Sequence, residues 1–264
     1  MATILKAKDL ADGGQPVAVK MPLPIFSSGV GAWSLFQQEE AIGRHLDHPY
    51  VLRFLPLPDD KRRSYVVTEL VPGQTLAEHM REWGPLPEPE AVMIAAHVCE
   101  AVAHLHRRGF VHYDLKPANV MLCPGGTIRL LDLGLAHAVV RSRFTLVGAP
   151  PASASTSYAA PEQVRRRRGR TSVDVYGLGA LLFEMLTGRP PFRGDEPFGA
   201  GSEQLVGDPP APRALNPEIS PAVEEIVLGA LRRRGRRARP RRAAAPRRSR
   251  ARAPGSAPAR GSRR

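Results

Sequence analysis

Apolar and polar positions alternate along "QPVAVKM", residues 15–21, and along "SYVVTELV", residues 64–71, and the alternation predicts two strands. Between them, residues 34–47 change to helical spacing. Phe36, Ile42, Gly43 and Leu46 fall on one face, and Ser34 and Gln37 stand at capping-box spacing at its start. Glu39 shares the apolar face, three residues from both Phe36 and Ile42, whereas Glu40 points with Gln37, Arg44 and Asp47. One acid is therefore expected to face inward and its neighbour to face water, and a carboxylate removed from water needs a partner. "PGQTL" turns out of the second strand. Residues 88–108 repeat Val92, Ala95, Val98, Val102 and Leu105 at helical spacing and stop at Gly109. Cys99 lies inside that helix and is expected to pack there. "PGG" at 124–126 joins "NVMLC" to "TIRLLDL" as a hairpin. Residues 172–187 are mostly apolar and predict a buried helix, and no internal repeat is visible.

Composition changes this picture little until the charge is divided. The 264 residues are 42% hydrophobic, enough for a core, and carry a net charge of +13. Of the 38 basic residues, 15 are arginines between Arg232 and Arg264, a segment with no acid, so the body holds 23 basic against 25 acidic residues. That tail of Arg, Ala, Pro, Gly and Ser has no apolar periodicity and is expected to be disordered. A solvated extension is favoured over a patch for nucleic acid or an acidic surface. Two cysteines, Cys99 and Cys123, lack metal-ligand spacing and fit a reduced compartment. No apolar run reaches the roughly 18 residues of a membrane span, and the start is unlike a signal peptide, so a cytoplasmic chain is expected.

The chemistry concentrates in "FVHYDLKPANVML", residues 110–122. Asp114 follows a short apolar strand and precedes Pro117, which puts it on a loop. Asn119 comes where the chain enters the hairpin, and Asp132 where it leaves. A carboxylate and an amide brought together by the hairpin can hold a hard cation through oxygen, and Mg²⁺ with retained waters and substrate phosphates suits so sparse a set. Asp114 is then left to accept a proton and Lys116 to neutralise phosphate, the division of labour of phosphoryl transfer.

With these residues in order, the chain resembles a protein kinase catalytic domain of the bacterial serine/threonine type. "VAVK" at 17–20 is similar to the family's strand-three lysine motif, "HYDLKPAN" at 112–119 to its catalytic loop and "DLG" at 132–134 to its metal-binding motif. "APE" at 160–162 and "DVYGLGALLFEMLTGRPPF" at 174–192 follow at the family's spacing. The resemblance implies an α+β, two-lobed fold over residues 1–231, with a small β-rich N-lobe to about residue 71, truncated at its start, and a mainly helical C-lobe from about 72. It implies an ATP- and Mg-dependent enzyme acting on Ser or Thr of protein substrates. Lys20 would contact the α- and β-phosphates and pair with Glu39. Asp114 would be the base, Lys116 would sit near the γ-phosphate, and Asn119 and Asp132 would hold Mg²⁺. Thr68 would be the gatekeeper, the backbone of Glu69 and Val71 would bond adenine, and Ala18 and Met121 would sandwich it. His112, Glu162 and Asp174 would have structural roles, Asp174 bracing the catalytic loop from below.

Several positions depart from the family pattern. Its glycine-rich loop belongs before "MATILKAKDL", which resembles the second strand, so the loop and first strand are expected upstream of Met1 and ATP binding by this chain is expected to be weakened. Tyr113 replaces the arginine that usually precedes the catalytic aspartate, so control by a phosphorylated activation loop is not expected. Ser155 stands where the family has a threonine that contacts the base. Thr145, Ser153, Thr156 and Ser157 are candidates for self-phosphorylation, while the run Arg165–Arg168 is expected to be a solvated face. After "EEIVLGAL", 224–231, the composition shifts as a changed reading frame in GC-rich DNA would shift it, and the arginine expected to pair with Glu162 is not found. The alternative to an active enzyme is a catalytically impaired fragment or pseudokinase serving as a binding module. A small-molecule kinase of the aminoglycoside type is disfavoured by Lys116 and the "APE" segment.

Overall fold

A computed structural model describes residues 2–10, 12–23, 30–57, 65–133, 137–138, 156–164, 171–192 and 207–232, with backbone alone for 30–36, 137–138 and 156. The body, Met1–Arg232, is one compact unit, and Arg233–Arg264, a second unit, lies outside the described residues.

Alternation gives the expected strands. β1 (Ala2–Asp9) and β2 (Gln15–Pro22) form an antiparallel hairpin whose turn uses Gly13 and Gly14 at positive φ. β3 (Val66–Glu69) pairs on the other side of β2, Ala18 opposite Thr68 and Lys20 opposite Val66. This strand is shorter than the apolar run around it.

The helix expected at 34–47 is α1, Val30–Gly43, four residues earlier at both ends. Its last turn tightens, His45 N–H donating to Ile42 O at 3.0 Å and Leu46 N–H to Gly43 O at 3.1 Å, which satisfies the final carbonyls and ends the α-helix. Ser34 is thus inside the helix and is not its cap. Gly43 is required here, because a Cβ would overlap the Phe54 ring. Glu39 is buried, 4% exposed, as its pattern demands. Glu40 differs from expectation: it is only 8% exposed. Arg44, one turn on, reaches Glu40 Oε1 at 2.7 Å and the Leu57 carbonyl at 3.0 Å, and so folds over the acid that was expected in water.

The rest of the body is mainly helical. β4 (Gln74–Thr75) leads into α2 (Leu76–Trp83), capped by Thr75 and Glu78. α3 (Glu88–Arg107) buries Ala91, Ile94, Ala95, Val98, Ala101, Val102 and Leu105 and stops before Gly109, φ +81. Val92, 40% exposed, lies off this face, because 91, 94, 98 and 101 set its centre. Cys99 likewise points to solvent, not into the core.

β5 (Phe110–Val111) pairs with β8 (His137–Ala138), and β6 (Val120–Cys123) with β7 (Thr127–Leu130) across the Pro-Gly-Gly turn, Gly125 and Gly126 both at positive φ. After the short α4 (Pro161–Val164), α5 (Ser172–Thr187) is buried on nearly every side, as its apolar run requires. α6 (Pro221–Ala230) packs on α5. Leu105, Leu181, Phe183, Met185 and Leu186 are fully buried, each stabilising the fold by roughly 1.5–3 kcal/mol.

The segment after α1 meets α3 through a seam of rings. His48 lies 5.0 Å from His104 and 5.6 Å from Tyr50, and Tyr50 stacks on His97 at 4.3 Å. His104 Nε2 and His97 Nδ1 are buried without a hydrogen-bond partner among the described residues. The whole is a two-lobed α+β fold. Among the described residues no helix is long and apolar enough to cross a membrane.

Candidate functional site

β2 presents Lys20 and α1 presents Glu39, and the two meet. Lys20 Nζ lies 2.8 Å from both Glu39 oxygens and 3.1 Å from Asp132 Oδ1, which arrives just after β7. Burial works against the Lys20 ammonium, but the two carboxylates outweigh it and hold its pKa above the ordinary lysine value. Burial also pushes the Glu39 carboxyl up. With both oxygens at 2.8 Å from the ammonium, this is an ion pair at neutral pH. The acid read from helical spacing as needing a partner has one.

The catalytic-loop candidates form a second group. Lys116 Nζ lies 2.6 Å from Asp114 Oδ2, and Asn119 Nδ2 donates to the same oxygen at 3.0 Å and to the Asp114 carbonyl at 2.8 Å. A 3-10 turn, Pro117–Asn119, brings Asn119 back beside Asp114 before β6 begins. The two groups are joined through the backbone: Leu131 N–H donates to Asn119 O at 2.8 Å, and Asp132 is the next residue.

Under this loop lies Asp174, from the first turn of α5 and 1% exposed. Its carboxylate accepts from His112 N–H and Tyr113 N–H, both at 2.9 Å, and from His106 Nε2 at 2.7 Å. His112 is fully buried between Leu131 O, 3.1 Å from Nε2, and Asp114 N–H, which donates to Nδ1 at 3.3 Å. Tyr113 (φ +67) and Asp132 (φ +55) are the non-glycine residues at positive φ among those described. Such a backbone costs on the order of 1–3 kcal/mol each, and here it falls at Asp132 itself and at the residue just before Asp114.

The nucleotide-pocket candidates lie along β2, β3 and β6. Ala18 is half-buried opposite Thr68, whose hydroxyl donates to Glu69 O at 3.1 Å. Met121 is half-buried on β6 opposite Arg129, and Val71 follows β3. The Glu69 side chain is engaged by Arg129 Nε at 3.1 Å and Arg53 N–H at 3.0 Å. Glu162 meets Ser172 Oγ at 3.3 Å. Gly134, Thr145, Ser153, Ser155 and Arg165–Arg168 lie outside the described residues, as does the Thr156 side chain.

Sequence reasoning missed Gln163, His106, Tyr158 and Glu184. Gln163 bonds the Tyr113 carbonyl at 2.9 Å, His106 bonds Asp174, and the Tyr158 hydroxyl donates to Glu184. Burial, with Glu184 beside it, pushes Tyr158 up, and burial pushes the Glu184 carboxyl up. A cavity of ≈280 Å³ opens there, lined by Met80, Arg81, Lys116, Pro117, Tyr158 and Glu184. The pairs Gln163–Tyr113 and Tyr158–Glu184 are 50 and 26 residues apart, and no local pattern announces them.

Residues 1–234 match the family model described as the protein kinase domain. The chain belongs to the protein kinase family. It is 32% identical over 230 residues to the probable serine/threonine-protein kinase PknB of Lactococcus lactis, covering 87% of this chain and 36% of that protein. It is 35% identical over 195 residues to the serine/threonine-protein kinase PrkC of Bacillus subtilis, covering 74% and 30%. With PknB of Mycobacterium tuberculosis it is 30% identical over 219 residues, covering 81% and 35%. The chain therefore spans about a third of the length of the curated relatives it matches. The kinase domain is of the bacterial serine/threonine type.

Proposed function

We propose that the chain transfers the γ-phosphate of ATP to Ser or Thr hydroxyls of proteins. The observation that carries this reading is the joined pair of clusters, Lys20 between Glu39 and Asp132, and Asp114 between Lys116 and Asn119. Asp114 orients the acceptor hydroxyl and takes its proton as the oxygen attacks. Lys116, now paired with Asp114, is within reach of the transferring phosphoryl group and offsets its charge. Lys20, aimed by Glu39, holds the α- and β-phosphates. Adenine lies between Ala18 and Met121, against the backbone of Glu69 and Val71, with Thr68 behind it.

Asn119 and Asp132 fit Mg²⁺. The Asn119 amide nitrogen bonds Asp114, so its oxygen is the atom that a cation would take, and the Asp132 side chain is 44% exposed. Two hard oxygen donors leave the remaining positions to water and phosphate, which Mg²⁺ accepts. When bound, the ion neutralises phosphate charge.

The test is radiolabel transfer from ATP to a generic protein acceptor. Asp114→Asn is expected to reduce it by about 10²–10⁴-fold, the usual contribution of a positioned base. Mg-ATP is expected to raise the melting temperature of both proteins. Absence of label together with no thermal shift would replace the enzyme by a binding module.

A further inference from the structure

The Tyr113–Asp114 peptide unit sets the direction of Asp114, and it is gripped at both ends. Its N–H, on Asp114, donates to His112 Nδ1 at 3.3 Å. Its C=O, on Tyr113, accepts from Gln163 Nε2 at 2.9 Å. Gln163 is itself fixed, because its Oε1 accepts from Ala160 N–H at 2.8 Å at the start of α4. The unit before it is fastened by Asp174, which takes the Tyr113 N–H at 2.9 Å. Tyr113 needs such fastening. At φ +67 a tyrosine sits in a region that side-chain-bearing residues avoid, and it relaxes unless its surroundings hold it. A relaxed φ would swing the Tyr113 carbonyl away and re-aim the carboxylate that follows.

We infer that Gln163 is a positioning residue for Asp114: its side-chain N–H locks the strained Tyr113–Asp114 peptide and couples the aim of the base to the chain entering α4. This inference rests on the phosphotransfer reading above. Its logic is that of a site held by its supporting contacts, where a displacement of about 1 Å costs about 10²-fold in rate. The amide is required in both senses, as a donor to Tyr113 and an acceptor from Ala160. A carboxylate at 163 keeps the second contact and loses the first, since it has no N–H to give.

The decisive variant is Gln163→Glu, with Gln163→Leu beside it. In steady-state phosphate transfer, Gln163→Glu is expected to lower kcat by roughly 10–100-fold while KM for ATP stays within about twofold, since Lys20, Glu39 and Asp132 are untouched. Gln163→Leu is expected to lose at least as much. Hydrogen exchange at the Tyr113 and Asp114 amides is expected to speed up in both variants. An unchanged kcat and unchanged exchange in Gln163→Glu would overturn the proposal, as would a kcat loss that follows melting temperature across both variants. If the unaltered chain transfers no phosphate, the phosphotransfer reading fails. The exchange measurement then still decides whether Gln163 holds this peptide.

Discussion

Lys20 shows how a single side chain ties the two lobes. Its ammonium touches Glu39 from α1 and Asp132 from the strand-exit beyond β7, and its side chain is 21% exposed against 5% for Glu39. Removing the Glu39 charge leaves the ammonium largely buried beside the Asp132 carboxylate at 3.1 Å. Glu39→Gln is expected to destabilise the body by about 1.5–3 kcal/mol, the range for a charge-assisted hydrogen bond, and urea unfolding at neutral pH measures it. Combining it with Lys20→Met should cost less than the sum of the two single changes, because the ammonium that needed the acid is gone. Strictly additive costs would show that the pair contributes no coupling.

At the scale of elements, the ring seam between the segment after α1 and helix α3 responds to acid. Burial lowers the pKa of His48 and of His104 below 6.5. Asp47 and Glu100 oppose the shift at His48, whereas Arg107 adds to it there, and Arg107 and Arg108 add to it at His104. The native state therefore binds these protons less readily than the unfolded chain. Stability is full above about pH 6.5 and declines as pH falls below it, towards the lowered folded values. The melting temperature is expected to drop between pH 6.5 and 5. His104→Phe, which keeps a ring against His48 and removes the buried unpartnered nitrogen, should flatten part of that slope. An identical slope in the variant would assign the acid sensitivity elsewhere.

The same elements show what could be read in advance. The hairpin at 120–130, the helix at 172–187 and the stop at Gly109 were legible because turn chemistry and a long apolar run are local signals. The pairing of Glu39 was foreshadowed by its place on an apolar face. The start of α1, the burial of Glu40 and the exposure of Val92 and Cys99 were not legible. Each depends on a neighbour's side chain or on a rotation of one residue about the helix axis. Gln163 was hidden because its partner lies 50 residues away and the signal is a strained backbone, which the sequence does not encode as a motif.

For the molecule as a whole, the buried core runs from Ile42 to Leu231, so side chains near the two ends of the body share one interior. The excess positive charge follows Leu231 in the sequence, among the arginines of 232–264, and the body itself is close to neutral. The two cysteines divide in the opposite way. Cys123 is half-buried, and burial raises its thiol pKa, whereas Cys99 is exposed on α3. A maleimide added at pH 7 should couple to Cys99 well before Cys123, and peptide mass mapping of a brief reaction would reveal the order. The chain thus carries a built-in attachment point for a fluorophore, outside the residues assigned to phosphate transfer, through which nucleotide-dependent changes could be followed without engineering a new thiol.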